Sequence, residues 1–250
     1  MTKLKPKSCV SGAPSAFPTN SEAVKLQKYI NLSEKAIASG ERYRKYRGFA
    51  HKPYLALHLR HGSDWVCPQT TQTIKCLLIM KISIQLKACD LLHENPDLHQ
   101  LFSSTQCSPE KSNPLPYELC LPPFQTIVEQ IEQIIEESKT RDRIETIYIA
   151  TDNNNETLWQ LLSEKLPEVT IIAPTKTYSS SGEISEAKAP NLIQDIYLLS
   201  YSNQFIGNCI SSFSGFVSRY RNFNLNFEQT THFFAEQLLD KSSYLIKTEL

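Results

Sequence analysis

The C-terminal part of the chain alternates between helix-like and strand-like segments, and this alternation restricts the fold more than any other feature. Apolar residues between 124 and 135 recur at i, i+3, i+4 and i+7, the spacing of an amphipathic helix. Further segments follow, with strands predicted at 146–150, 169–173 and 204–207 and helices at 158–165, 191–200 and 211–221. Such alternation predicts an α/β fold, a Rossmann-like and mostly parallel sheet with helices on both faces. The strand at 204–207 is the last one predicted.

Two elements are predicted before this region. A helix over residues 20–40 has a polar cap at its start and Gly40 at its end, and a basic stretch follows it. The apolar run 54–59 predicts a buried strand. We therefore predict a linking helical segment over residues 1–50 and a Rossmann-like domain over residues 51–250.

An irregular segment, residues 66–123, separates the first predicted strand from the regular region. It is rich in proline and holds five of the seven cysteines. The cysteines lack the C-x-x-C or Cys/His spacing of zinc sites, so we predict disulfides in an oxidising compartment and no metal. Two N-glycosylation sequons, at Asn31 and Asn155, agree with that compartment.

Charge and hydropathy exclude other classes of protein. Lys and Arg number 26 and Asp and Glu number 26, a balance that argues against an electrostatic nucleic-acid binder. No apolar run has the length of a membrane span, and the N-terminus shows no signal peptide. A secretory chain without a visible signal predicts that an N-terminal portion is missing from this sequence.

Polar clusters follow three of the predicted strands, at the sheet edge where α/β proteins bind ligands. In the first cluster, strand alternation places His58 and Arg60 on one side, where they can grip a phosphate, and turns Leu59 into the core. The alternative is an exposed ion pair between Arg60 and Asp64. In the third cluster, Asp152 can accept hydrogen bonds from a base or a sugar, or it can belong to a solvated turn.

The second cluster, Gly207–Phe213, runs from a strand through a turn of small residues into a helix. The helix N-terminus and the hydroxyls of Ser211 and Ser212 suit an anion, although two ordinary helix-capping serines explain the pattern equally well. Phosphate-loop, dinucleotide-binding and nucleophile-elbow motifs are absent from the sequence, as is an Asp-x-Asp pair that would hold a metal in a glycosyltransferase.

Three motifs in this order resemble the family of GDP-fucose protein O-fucosyltransferases that modify EGF-like repeats. They are HLRHGSDW at 58–65, IATD at 149–152 and FIGNCISSF at 205–213, and GAPSAFP at 12–18 and LQKY at 26–29 agree with them. The resemblance extends from about residue 12 to residue 235. It implies that the chain is the C-terminal half, with the linking helix, of a glycosyltransferase of the GT-B fold.

The resemblance also implies an activity and roles for individual residues. The activity would be inverting transfer of fucose from GDP-fucose, without metal or cofactor, to Ser or Thr hydroxyls of folded EGF-like repeats in secreted or cell-surface proteins such as Notch-type receptors. Arg60 would be the catalytic residue that holds the β-phosphate. The other implied donor contacts are His58 on the nucleotide, Asp152 on guanine, Ser211, Ser212 and the Phe213 backbone on phosphate, Leu59 and Asp64 within the first motif, and Asp195 as a weakly aligned second acid.

The resemblance also has implications for the cysteine pairing, for residues 66–87 and for the cellular compartment. Four family cysteines permit three pairings, of which the resemblance suggests Cys89–Cys120 and Cys107–Cys209. Residues 66–87 exceed the family pattern and are either a surface loop or a gene-model error. The C-terminal Lys-Thr-Glu-Leu is similar to an endoplasmic reticulum retrieval signal, which agrees with a location in the lumen. The alternative function is a non-catalytic module that binds GDP-fucose or EGF domains.

Overall fold

The computed structural model describes residues 28–60, 116–152 and 156–238, and the strands within them form one sheet. These strands are β1 (Tyr54–Leu59), β2 (Thr146–Thr151), β3 (Thr170–Ile172), β4 (Lys176–Tyr178), β5 (Ile184–Glu186), β6 (Gln204–Gly207) and β7 (Thr231–Phe233). Their order across the sheet is β5-β4-β3-β2-β1-β6-β7. The pairs β3–β2, β2–β1, β1–β6 and β6–β7 are parallel. The pairs β3–β4 and β4–β5 are antiparallel.

Helices cover both faces of this sheet. They are α1 (Glu34–Tyr46), α2 (Tyr117–Cys120), α3 (Phe124–Ser138), α4 (Glu156–Lys165), α5 (Leu192–Ser200) and α6 (Ser212–Tyr220). Apolar residues of α3 and α4 share one buried cluster with Leu55, Leu57 and Leu59 of β1. Residues of α1, α5 and α6 share a second cluster with Tyr54 and Ala56, which point the other way because strand side chains alternate. The predicted sheet with helices on both faces is confirmed.

Residues 20–27 of the helix predicted over 20–40 lie outside the described residues, and the first described helix, α1, differs from the rest of that prediction. It begins at Glu34, where the Ser33 hydroxyl accepts the Ala36 N–H at 3.3 Å, and it continues to Tyr46. Gly40, predicted as its end, is buried in its middle. A Cβ at Gly40 would lie 2.0 Å from Cδ1 of Tyr197, so the glycine allows α1 and α5 to approach closely. The need for close contact outweighs the low helix propensity of glycine.

The basic stretch that was predicted to follow the first helix belongs largely to it. Arg47 caps α1 and is buried, and its guanidinium donates to the carbonyls of Ala173 and Lys176, both at 2.9 Å. This side chain therefore fastens α1 to the turn between β3 and β4. The helix α1 thus packs against the sheet and contributes to its buried core. The domain boundary at residue 50 stays a prediction.

Three short strands were not predicted. Two of them, β4 and β5, form a hairpin, and Gly182 in its turn has a φ of +83°. β7 pairs parallel with β6, so the prediction that 204–207 is the last strand was wrong. Each of these strands has three residues, too few to show a periodic pattern in the sequence.

A buried arginine organises the chain after α6. Arg221 is 0 % exposed and opens a π-helical turn, Arg221–Leu225. Its guanidinium donates to the carbonyls of Ser200 and Ser202 at 2.9 and 2.8 Å, and to that of Thr230 at 3.0 Å. Burial lowers the pKa of Arg221 to about 9. One side chain thus ties the end of α5 to the segment that enters β7.

Candidate functional site

Three of the central strands deliver polar residues to one edge of the sheet. β1 lies between β2 and β6, with Leu59 opposite Thr151 and Leu57 opposite Ile206. Because all three strands are parallel, their carboxyl ends meet at the same edge. The strand order also changes direction at β1, the position where open α/β sheets form a ligand crevice. The structure therefore brings together residues from the three clusters that the sequence predicted; this strand-end cluster comprises His58, Arg60, Asp152, Asn208 and Ser211–Ser214.

Arg60 and Asp152 form an ion pair across the ends of β1 and β2. Nη1 of Arg60 contacts Oδ2 of Asp152, and the two side chains are 24% and 25% exposed. The sequence named both residues but assigned them to separate parts of a ligand, and it offered Asp64 as the partner of Arg60. The structure shows that Asp152 holds the guanidinium at the sheet edge. Asp64 lies outside the described residues.

His58 is buried beside the N-terminus of α6. Its Nδ1 lies 2.6 Å from Oγ of Ser214, and its ring packs edge-on against Phe213 with 4.8 Å between centroids. Burial, with a smaller contribution from the charge of Arg60, lowers the pKa of His58 to about 3. The imidazole is therefore neutral at physiological pH.

Gly207 lets the end of β6 touch α6. A Cβ at Gly207 would lie 2.9 Å from both Cβ and Oγ of Ser214 and 2.8 Å from Cζ of Phe205. Any other side chain would push α6 away from the strand ends. This contact sets the position of Ser214 relative to His58.

Asn208 organises the turn that leads into α6, and sequence reasoning did not include it among the site residues. Its Oδ1 accepts the N–H groups of Ile210 and Ser211 at 3.0 and 3.2 Å, and its Nδ2 donates to the Cys120 carbonyl at 2.8 Å. The available signal was its place between Gly207 and the serines, because asparagine commonly folds such turns through its side chain.

The N-terminus of α6 presents backbone donors to the strand-end cluster. Ser211 is the N-cap, yet its side chain makes no capping hydrogen bond. The N–H groups of Ser212, Phe213 and Ser214 open the helix and have no acceptor within it. Ser212 is exposed at this end. The sequence left helix capping and anion binding open as interpretations of these serines. The Ser211 side chain does not cap the helix, and the backbone N–H groups at this helix end suit an anion.

Two other residues that were predicted to contact the sugar donor, Leu59 and Asp195, have side chains outside the strand-end cluster. The side chain of Leu59 is buried in the core, so only its backbone can face a ligand. Asp195 accepts a hydrogen bond from the Tyr148 hydroxyl on the sheet face beneath α5, and burial raises its pKa to about 6. Its described hydrogen bond is therefore with a core tyrosine and not with the strand-end cluster.

The cysteines nearest the site are oxidised. Cys120 and Cys209 are each disulfide-bonded, and Sγ of Cys209 lies 3.9 Å from the Leu119 carbonyl oxygen. Cys89 and Cys107 lie outside the described residues, as do residues 66–87 and the C-terminal tetrapeptide. The suggested pairing stays a prediction.

Residues 28–60, 116–152 and 156–238 contain neither a group of metal ligands nor a membrane-spanning helix. Within these ranges no three His, Cys, Asp or Glu side chains converge as metal ligands would. None of the helices in the same ranges combines the length and apolar character needed to cross a bilayer.

Comparison with known proteins decides the family. The sequence model of the GDP-fucose protein O-fucosyltransferases matches residues 5–224. The chain belongs to this family. The curated GDP-fucose protein O-fucosyltransferase 1 of Caenorhabditis elegans is 24% identical over 213 residues, which are 84% of this chain and 44% of that protein.

Solved structures of POFUT1 share the fold. The complex with GDP matches with a TM-score of 0.60 and the complex with GDP-fucose with 0.59, each at 21% identity and over 88% of this chain and 51% of the other. The predicted fold class, a Rossmann-like α/β sheet of the GT-B type, is confirmed. The chain spans about half the length of the relatives it matches.

Proposed function

We propose that this O-fucosyltransferase family chain binds GDP-fucose at the strand-end cluster and takes part in transfer of its fucose to a protein hydroxyl. The observation that supports this most directly is the convergence of Arg60, His58 and the uncapped N-terminus of α6 at one sheet edge. A guanidinium, a neutral ring N–H and free backbone N–H groups are donors that suit a diphosphate.

The same donors suit the leaving group of the reaction. In the inverting transfer that the family implies, the acceptor oxygen bonds to C1 of fucose from the face opposite GDP. The bond from C1 to the β-phosphate oxygen breaks with both electrons going to the phosphate, and the hydroxyl loses its proton. Arg60 and the α6 N-terminus would stabilise the charge that develops on GDP, because both are preorganised for it. We assign no side chain as the base that accepts the proton of the acceptor hydroxyl.

Asp152 would have two partners in the bound state. Its carboxylate pairs with Arg60 through Oδ2, and a carboxylate has further lone pairs that can accept N–H groups of guanine. Asp152 would thereby couple recognition of the base to the orientation of Arg60. Asp195 would contribute only if the donor approached the Tyr148 hydroxyl, where its carboxylate is now bonded.

The acceptor and the location follow from the family resemblance and are proposals. The acceptor would be a folded EGF-like repeat, and the reaction would proceed in the lumen of the endoplasmic reticulum without metal. The sequon asparagine Asn31 is exposed, so its glycosylation in cells would report entry into that compartment. Sensitivity of the expressed chain to endoglycosidase, absent when Asn31→Gln and Asn155→Gln are combined, is the result expected.

The test is transfer to a folded acceptor. The purified chain is mixed with GDP-fucose and a folded EGF-like repeat, with and without EDTA, and the acceptor is weighed by mass spectrometry. We expect the mass of one fucose to be added to the folded repeat, but not to a reduced and unfolded one. GDP binding without transfer would favour the non-catalytic binding module, and absence of GDP binding would contradict the proposed function.

A further inference from the structure

We propose that Ser214 is a positioning residue that holds His58 in the tautomer protonated on Nε2. Ser214 lies in the first turn of α6, and His58 lies in the last part of β1. Neither the sequence motifs nor the fold assigns a role to this serine. The proposal rests on the hydrogen bonds around one buried hydroxyl.

The Ser214 hydroxyl has two described partners. Its Oγ accepts the backbone N–H of Asn208 at 2.9 Å and lies 2.6 Å from Nδ1 of His58. A backbone N–H can only donate, so Asn208 uses a lone pair of Oγ. Oγ keeps its single proton, and Nδ1 can accept that proton only when Nδ1 is unprotonated.

The opposite tautomer would leave a polar group unsatisfied. Ser214 is 0% exposed, so water does not reach its hydroxyl. A proton on Nδ1 would take the acceptor away from the hydroxyl, and a buried hydroxyl without an acceptor is costly. The same conflict opposes a doubly protonated imidazolium, in agreement with the low pKa of His58.

Nearby backbone fixes the serine in this place. Gly207 lies against Cβ and Oγ of Ser214, and Asn208 is held by its own bond to the Cys120 carbonyl. The hydroxyl therefore has little freedom to turn to another acceptor. Its orientation is a property of the folded chain that needs no ligand.

The consequence for the site, which rests on the proposed function, is a donor of fixed position. With Nδ1 occupied, the ring offers Nε2–H. His58 and Arg60 are two residues apart along β1 and its end, so their side chains leave the same side of the strand. Nε2–H and the guanidinium would therefore address the same diphosphate, one as a neutral donor and the other as a cation.

The first experiment measures the tautomer in the ligand-free full chain at pH 7. Nitrogen-15 histidine spectra distinguish protonated from unprotonated ring nitrogens, and the spectrum of His58→Gln assigns the His58 signals. We expect an unprotonated Nδ1 and a protonated Nε2 in the wild type. In Ser214→Ala we expect a mixture of tautomers, and in Ser218→Ala, a buried serine one turn further along α6, no change.

A protonated Nδ1 in the wild type would overturn the proposal, and so would an unchanged tautomer in a folded Ser214→Ala. If Ser214→Ala does not fold, the wild-type spectrum still decides. These results do not depend on a ligand, so they remain valid if GDP fails to bind and the proposed function is wrong.

The second experiment measures GDP affinity by calorimetry. Ser214→Ala should weaken binding about fivefold, the effect of one hydrogen bond, while Ser218→Ala should not. His58→Gln places an amide N–H near the position of Nε2, and His58→Asn places one near Nδ1. We expect the glutamine variant to bind GDP more tightly than the asparagine variant. The reverse order, in a wild type that binds GDP, would overturn the assignment of Nε2–H as the donor.

Discussion

Arg60 and Asp152 neutralise each other at the sheet edge before any ligand arrives. Their ion pair is partly exposed, so it contributes little to stability, on the order of 1 kcal/mol or less. Its main effect is to hold the guanidinium in one orientation beside the α6 N-terminus. Loss of this pair should therefore change donor binding more than it changes the stability of the fold.

We predict that Arg60→Ala abolishes measurable fucose transfer while leaving thermal unfolding nearly unchanged. Loss of one preorganised donor costs about 3–4 kcal/mol of transition-state stabilisation, or roughly a hundredfold to a thousandfold in rate. Transfer assays and calorimetric unfolding are compared with those of Arg143→Ala, which removes a surface pair with Glu145. Turnover near that of the wild type would refute the catalytic role.

Asp152→Ala should weaken GDP binding and reduce discrimination against other nucleotides. The carboxylate is proposed to accept from guanine, and its loss also releases Arg60. We expect affinity for GDP to fall about fivefold to tenfold, with a smaller change for UDP and ADP. The control is Glu156→Ala, which breaks the surface pair with Lys176. Calorimetry that shows unchanged affinity and selectivity would remove Asp152 from the site.

His58 and Asp195 act in opposite directions on stability as the pH changes. The pKa of His58 is lowered from 6.5 to about 3, so the unfolded chain binds the proton first and stability falls as pH falls from 6.5. The pKa of Asp195 is raised from 3.8 to about 6, so the folded chain holds the proton and stability falls as pH rises from 3.8 towards 6. The two effects largely cancel between pH 4 and 6.

The variant Asp195→Asn should make the contribution of His58 to the pH dependence of stability measurable. The asparagine oxygen still accepts from Tyr148, so the fold is kept. Between pH 4 and 6, stability should rise with pH by up to about 1.4 kcal/mol per unit more steeply than in the wild type. Denaturant unfolding across this range measures it, with Glu132→Gln on the exposed side of α3 as control. Identical slopes in the two variants would contradict the raised pKa of Asp195.

At the scale of elements, the packing of α1 against α5 depends on one glycine. Gly40 sits where a Cβ would overlap Tyr197, and the Gln194 side chain donates to the Ser39 hydroxyl beside it at 3.3 Å. Tyr54 reaches α5 from the sheet, donating from its hydroxyl to the Leu198 carbonyl at 2.8 Å. These contacts place α5, which carries Asp195, over the sheet face that carries Tyr148.

Gly40→Ala should therefore destabilise the protein, although alanine is the better helix former by about 1 kcal/mol. Overpacking of this kind costs about 1–3 kcal/mol, and we expect a net loss of stability in chemical denaturation. The variant Tyr197→Ala removes Cγ and Cδ1, the two atoms that a Cβ at residue 40 would approach most closely, so Gly40→Ala should cost less stability in a Tyr197→Ala background than in the wild type. A purely additive double mutant would show that the close approach to Tyr197 is not the cause.

For the molecule as a whole, two disulfide-bonded cysteines lie where the segment before α3 meets the turn at the site. Cys120 and Cys209 are both oxidised, and Asn208 links the two segments through the Cys120 carbonyl. The pairing suggested by the family, Cys89–Cys120 and Cys107–Cys209, would join the site turn to a distant part of the chain. It would thereby hold the N-terminus of α6 against the sheet.

Peptide mapping under non-reducing conditions should find Cys107 joined to Cys209. That bond closes a loop of about 100 residues, and in the chain-entropy model it stabilises by roughly 4–5 kcal/mol. Reduction should therefore lower both the unfolding temperature and the affinity for GDP. A bond between Cys67 and Cys107, or free thiols throughout, would contradict the pairing and the oxidising compartment.

The sequence by itself determined the long elements and the polar residues that follow β1, β2 and β6. β1, β2 and the amphipathic α3 were predicted within a few residues, because burial of one face leaves a periodic pattern in the local sequence. The position of Gly40 inside α1 and the strands β4, β5 and β7 were decided by contacts with neighbouring elements, which a local pattern does not record. The same holds for the pairing of Arg60 with Asp152 and of His58 with Ser214, a contact across 156 positions of the chain. Strand order and the approach of α6 bring these groups within hydrogen-bonding distance, and both exist only in the folded molecule.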